Sequence, residues 1–199
     1  IHPGHADLGE SQLAGPHLNL GHQLETVDLR VANARERHPM IVESTPDPVA
    51  VQAIVWQTEA DTRAFARRLA AHPALRNAFI ELHGELGAGK TTFVRHLLHA
   101  LGVHGRIKSP TYAVVEPHEA ADLHIWHFDF YRFDDPREWE DAGFRDIFAS
   151  PGLKLAEWPE KATKYIPRAD LAIKIEAMLD ESRQVSLSAQ TPLGRELLA

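Results

Sequence analysis

A chain of 199 residues, 44% hydrophobic and 25% charged, suits one packed domain with an appendage and is short for two independent cores. Lys and Arg number 21 against 28 Asp and Glu, a formal net charge of -7. That balance excludes the broad basic face that sequence-independent nucleic-acid binding needs, but leaves room for one local phosphate site or an RNA contact made through a partner. The absence of cysteine excludes disulfides, iron–sulfur clusters and thiolate zinc sites and fits a reducing compartment. No apolar run approaches the ~18–20 residues that a membrane-spanning helix needs.

Residues 1–50 differ from the rest. Trp56 is the first aromatic, and residues 1–48 carry Arg30, Arg35 and Arg37 against Asp7, Glu10, Glu25, Asp28, Glu36, Glu43 and Asp47. Such a segment buries too little apolar surface to offset its ordering entropy, so 1–50 is expected to be a mostly disordered N-terminal extension. Leu20, Leu24, Val27 and Val31 have helical spacing within it.

From residue 51 to 199 the pattern is globular. VQAIVW (51–56) predicts a strand, and Thr58 with Asp61 a capping-box helix start. Phe65, Ala66, Leu69 and Ala70 line one face of that helix, which stops before Pro73. AFIELH (78–83) predicts a buried strand running into Gly84. Phe93, Val94, Leu97, Leu98 and Leu101 predict a helix stopped by Gly102. YAVVE (112–116) and LHIWHFDF (123–130) predict an antiparallel hairpin. A short helix is expected within 134–148 and a strand at LKLAEW (153–158). LAIKIEA (171–177) and RQVSLSA (183–189) predict a terminal antiparallel pair.

The most specific feature is Gly84-Glu85-Leu86-Gly87-Ala88-Gly89-Lys90-Thr91, which fits G-x-x-x-x-G-K-[ST]. Glycines let the backbone turn its N–H groups toward one anion, and the following helix offers its N-terminal dipole to the same anion. Lys90 would reach the β- and γ-phosphates, and Thr91 would offer its hydroxyl to magnesium. Chance produces the pattern in roughly one chain of this size per hundred; the strand before it and the helix after it lower that rate further.

Such a loop needs a carboxylate at the end of a neighbouring strand to hold magnesium or its water. Asp129, closing HIWHFD, and Glu157, closing LKLAE, both qualify, and the pattern does not choose between them. Ser109-Pro110-Thr111 could sense a γ-phosphate or simply form a turn. The 13 histidines include His96 with His99 and His124 with His127 at i, i+3. Without H-E-x-x-H or cysteine they are expected to be ordinary surface or core residues rather than zinc ligands.

LHGELGAGKTTFVR, KSPTYAVVE, HFDFYRFDDPREWEDAGFRD and AEWPEKA follow one another in an order that resembles the bacterial TsaE (YjeE) ATPases, over roughly three quarters of the chain. The phosphate loop is generic; HFDFYR and EWPE after SPTY are specific. The resemblance implies an α/β fold, a P-loop NTPase-like mixed sheet flanked by helices, with antiparallel hairpins. It implies a cytoplasmic Mg-dependent ATPase that supports N6-threonylcarbamoyladenosine formation at position 37 of transfer RNA. The implied partners are TsaD and TsaB, with transfer RNA met through their complex and no membrane.

Carried onto this chain, the resemblance implies that Leu86, Gly87, Ala88, Gly89, Lys90, Thr91 and Thr92 wrap the phosphates, with Thr91 on the metal. It makes Glu157 a metal-binding and catalytic glutamate and Asp129 a strand-end aspartate needed for hydrolysis. Thr111 then lies in a first switch and Trp158 in a second. Glu59 and Arg183 match positions near adenine and ribose. Phe130 and Phe133 stand where the family often has leucine, and Ala156 where it has a branched residue.

Arg132 and Arg106 are the arginines available to stabilise transferring phosphoryl charge, and neither is compelling, so slow hydrolysis alone and faster hydrolysis with partners are expected. A small-molecule kinase is the alternative enzyme, but Arg132, Arg137 and Arg145 make a sparse lid. A nucleotide-gated binding protein is the third class.

Overall fold

The structure, a computed structural model, describes residues 50–134, 139 and 143–199. The extension expected over 1–50 falls outside them, except that its last residue opens the first strand.

One seven-stranded mixed sheet organises the described residues, in the order β1-β7-β6-β2-β5-β4-β3. Its strands are β1 (Ala50–Trp56), β2 (Phe79–His83), β3 (Val115–Ala120), β4 (Leu123–Asp129), β5 (Leu153–Glu157), β6 (Leu171–Ala177) and β7 (Arg183–Ala189). The four central strands β6, β2, β5 and β4 run parallel. Antiparallel partners flank them: β7 and then β1 beyond β6, and β3 beyond β4. The parallel strands therefore end at one edge, where open α/β sheets bind their ligands.

Burial explains the strand order. Every residue of β5 is buried, as a strand covered on both faces requires. β1, at the edge, exposes Val51 and Val55 and turns Trp56 inward.

Helices α1 (Glu59–Ala70), α2 (Lys90–Ala100) and α4 (Pro192–Leu198) contribute Phe65, Leu69, Phe93, Leu97 and Leu197 to a core built on Ile80, Leu82 and Leu155. Within it Trp56 stacks on Phe93 with ring centroids 5.9 Å apart. The opposite face carries an aromatic cluster in which Phe128 and Phe130 meet Phe144 of α3 (Phe144–Ala149) and Trp139. Both phenylalanines at expected leucine positions, Phe130 and Phe133, are buried in this cluster, as is Ala156. The capping box holds: the Asp61 carboxylate accepts from the Thr58 backbone N–H at 2.8 Å and from its hydroxyl at 3.1 Å.

Two expectations change. YAVVE is not a strand from 112. Residues 111–113 form a turn closed by the Val114 N–H donating to the Pro110 carbonyl at 2.7 Å, and β3 starts at Val115. Val114 takes a left-handed φ of 64° and offers its carbonyl to the Asp129 N–H at 2.9 Å, so docking to the end of β4 overrides β propensity. Pro117 is accommodated because β3 is an edge strand. The pair 171–177 and 183–189 forms as expected, but it is not terminal. α4 follows, its Thr191 cap accepting from the Gly194 N–H at 3.1 Å and donating to Asp170 at 2.5 Å.

Ile80 lies in the middle of the sheet with no exposure, whereas Val55 is half exposed on the edge. Urea unfolding should show Ile80→Ala losing about 2–5 kcal/mol and Val55→Ala less than about 0.5 kcal/mol.

Candidate nucleotide-binding site

β2 delivers the chain from the buried centre of the sheet straight into the glycine-rich turn, and α2 leaves it at Lys90. Gly84, at φ 137°, could not carry a side chain: a Cβ there would lie 2.3 Å from the Ile175 carbonyl oxygen of β6. Gly87 and Gly89 also take positive φ, which tightens the turn ahead of the helix. The first-turn N–H groups of α2 lack carbonyl partners within the helix and, with its dipole, favour an anion here.

Lys90 is buried under the loop. Its ammonium donates to the carbonyls of Gly84 at 2.5 Å and Glu85 at 2.9 Å and sits 4.1 Å from the centre of the Trp158 ring. Desolvation holds its pKa below the ordinary lysine value, opposed by the nearby charges of Glu157, Glu160, Asp129 and Glu85. A buried cation whose bonds go to neutral carbonyls is suited to an incoming anion.

The two strand-end acids stand side by side, because β4 and β5 pair with Asp129 opposite Glu157. Their partners differ. Both Glu157 carboxylate oxygens lie 2.9 Å from the Thr91 hydroxyl, and Oε1 is also 2.9 Å from Nε2 of His127. Asp129 accepts instead from the hydroxyls of Ser109 and Thr111, the latter at 2.8 Å, and from the Tyr131 N–H at 2.9 Å. Glu157 thus belongs to the glycine-rich loop and Asp129 to the Ser-Pro-Thr turn. Trp158, directly after Glu157, has a left-handed φ of 57° and packs against Tyr131 at 4.9 Å.

Lys90, Thr91, Ser109, Asp129, Tyr131 and Glu157 line one cavity of about 270 Å³ that also includes Leu86, Gly87, Gly89, Thr92, Thr111 and Trp158. A second cavity, of about 170 Å³, shares Gly87, Gly89 and Thr92 with it and adds Trp56, Glu59, Ala88 and Arg183. Glu59 and Arg183, far apart in sequence, therefore lie on the opposite side of the same loop. Arg183 donates to the Ala88 carbonyl at 2.9 Å, and Glu59 Oε1 lies 2.8 Å from Nε2 of His96.

Every residue to which the family resemblance assigns a role lines one of these adjoining cavities. Sequence pattern alone misses His127 as a site residue: it groups that ring with the ordinary histidines, whereas the structure buries it completely against Glu157. Its position two residues before Asp129 on β4 is the signal that could have found it. Of the arginines considered, Arg132 leans on the Tyr112 ring at 4.5 Å, and neither it, Arg106 nor Arg145 lines either cavity. Arg137 lies outside the described residues.

Among the described residues no group of three or more His, Cys, Asp or Glu side chains could hold a metal by itself. A hydroxyl set against one carboxylate suits magnesium, which takes few protein ligands and completes its shell with phosphate oxygens and water.

Residues 56–185 match the family described as threonylcarbamoyl adenosine biosynthesis protein TsaE. The tRNA threonylcarbamoyladenosine biosynthesis protein TsaE of Haemophilus influenzae is 43% identical over 120 residues, covering 60% of this chain and 75% of that protein. The protein of the same description from Bacillus subtilis is 32% identical over 141 residues, 70% of this chain and 87% of its own. The crystal structure of Bacillus subtilis YdiB shares the fold, with a TM-score of 0.63 at 24% identity over 76% of this chain and 93% of that one. A family match spanning most of the domain, carried by a P-loop NTPase-like α/β fold, shows that this chain belongs to the TsaE family.

Proposed function

We propose that the protein is a magnesium-dependent ATPase that supports threonylcarbamoyladenosine formation on transfer RNA position 37, acting in the cytoplasm with TsaD and TsaB. The carrying observation is the contact of the Thr91 hydroxyl with both oxygens of Glu157, directly beneath a glycine-rich loop that buries a lysine. That is the arrangement P-loop chemistry needs, a phosphate cradle beside a carboxylate that orients metal or water. Family membership supplies the setting, since its members are named for this modification.

In this reading the loop from Leu86 to Thr92 and the N-terminus of α2 bind the phosphates. Lys90 exchanges its bonds to Gly84 and Glu85 for phosphate oxygens, under the cover of Trp158. Thr91 and Glu157 would hold magnesium, which when bound neutralises charge developing on the transferring phosphoryl group. Glu157 is better placed than Asp129 to face the metal, because it bonds the loop threonine. Asp129 holds Ser109 and Thr111 as a switch that can respond to the γ-phosphate and orient the attacking water. Glu59 and Arg183 receive the nucleoside on the other side of the loop. With no arginine other than Arg183 among the described residues lining these two cavities, the partner complex supplies or organises the missing positive charge. Transfer RNA is met through that complex, in keeping with the acidic net charge of -7.

Phosphate release with magnesium and ATP should be slow for the protein alone and rise on addition of purified TsaD and TsaB. Lys90→Ala should abolish it, with ATP binding by calorimetry weakened at least about tenfold; undiminished hydrolysis would contradict the assignment. Glu157→Gln should lower turnover by roughly a hundredfold or more while ATP still binds. Asp129→Asn should instead free the Ser109–Thr111 turn, detectable as faster backbone amide exchange over 109–114.

A further inference from the structure

The fold buries one imidazole that the nucleotide reading leaves without a task. His127 has no exposure, and it sits on β4 in line with Leu123, Ile125 and Asp129. Packing alone would be served there by leucine or phenylalanine, with no polar atom to desolvate. Its Nε2 lies 2.9 Å from Glu157 Oε1. An ionised carboxylate only accepts, so Nε2 carries the hydrogen and donates. Nδ1 is buried without a partner among the described residues, and in this tautomer it is a bare lone pair rather than a stranded N–H.

The sheet fixes the direction of that donation. β4 and β5 pair with His127 opposite Leu155 and Asp129 opposite Glu157, which makes His127 and Glu157 diagonal neighbours on one face. On the other side β3 sets Glu116 opposite His127, and His118 stacks on the imidazole at 6.5 Å with 30° between the planes. The ring is therefore confined on both sides. The other donor to Glu157, the Thr91 hydroxyl, has a single hydrogen to share between the two carboxylate oxygens. When that hydroxyl turns toward a bound nucleotide and its cation, the His127 bond is the one that keeps the carboxylate in place.

We infer that His127 is a positioning residue: its Nε2–H anchors one oxygen of Glu157 and leaves the other aimed at Thr91 and the cavity. This rests on the reading of Glu157 as the site's acid.

The test compares His127→Phe, which keeps ring volume and stacking but removes the donor, with His127→Gln, which restores an N–H near the position of Nε2. In magnesium-dependent ATP hydrolysis by the full chain with TsaD and TsaB, His127→Phe should lower kcat roughly tenfold to a hundredfold. KM should stay within about threefold, and His127→Gln should recover part of the loss. Independently of turnover, nitrogen NMR of the nucleotide-free protein should show His127 as the Nε2–H tautomer, and Glu157→Ala should remove that preference.

Wild-type kcat in a folded His127→Phe variant, or an Nδ1–H tautomer, would overturn the inference. Should His127→Phe fail to fold, His127→Gln and the tautomer decide: full loss of turnover in folded His127→Gln counts against it, and partial activity with Nε2–H supports it. Wild-type turnover in Glu157→Gln would instead overturn the reading of Glu157 as the site's acid, whereas unaltered His127→Phe beside a crippled Glu157→Gln removes only the role of His127.

Discussion

The whole site depends on β5 lying between β2 and β4. Parallel pairing on both sides sets Leu82 and Asp129 level with Glu157, so the glycine-rich turn, the aspartate and the glutamate emerge at one edge. A shift of one residue in β5 would turn Glu157 to the opposite face, among the aromatic cluster, and take its carboxylate away from Thr91. The uninterrupted burial of LKLAE makes such a slip costly, because Leu153 and Leu155 would leave the core beneath α1 and α2 while Lys154 entered it.

Around that edge the backbone holds conformations that non-glycine residues avoid. Val114 and Trp158 both take left-handed φ, and they follow the Ser-Pro-Thr turn and Glu157 respectively. Each is held by specific contacts: Val114 by hydrogen bonds to Pro110 and Asp129, Trp158 by its ring against Lys90 and Tyr131. Local strain of this kind persists where surrounding structure over-determines it, and segments that change with a ligand are drawn from such places. Both proposed switches are thus tied to groups that a nucleotide would engage, Asp129 in one and Lys90 in the other.

The electrostatics suit an anionic ligand that arrives with a cation, because carboxylates outnumber the one ammonium here. Carboxylates at 129, 157 and 160 and one buried ammonium are kept close, and the ammonium is bonded to carbonyls rather than neutralised by a direct ion pair. β1 and β7 add the other half of the site. In register, Trp56 stands opposite Arg183, and the Arg183 guanidinium reaches the Ala88 carbonyl. The strands that widen the parallel sheet therefore also build the second cavity.

The parts whose physics is local are legible in the residues alone. The spacing of Gly84, Gly87, Gly89, Lys90 and Thr91 dictates a turn that only glycines allow, and the helical period of Phe93 to Leu101 dictates the helix after it. Strand-end placement marks Asp129 and Glu157, because an acid after a buried apolar run belongs at a sheet edge. How these parts meet is settled only when the sheet assembles. The choice of Glu157 rather than Asp129 to face Thr91 comes from strand order and register, which are non-local pairings that no spacing encodes. The turn over 111–114 resembles a strand in sequence because Tyr112 and Val114 favour one, and docking to β4 outweighs that preference. His127 looks ordinary in sequence because a buried imidazole gains its meaning from the carboxylate folded against it, 30 residues farther along the chain.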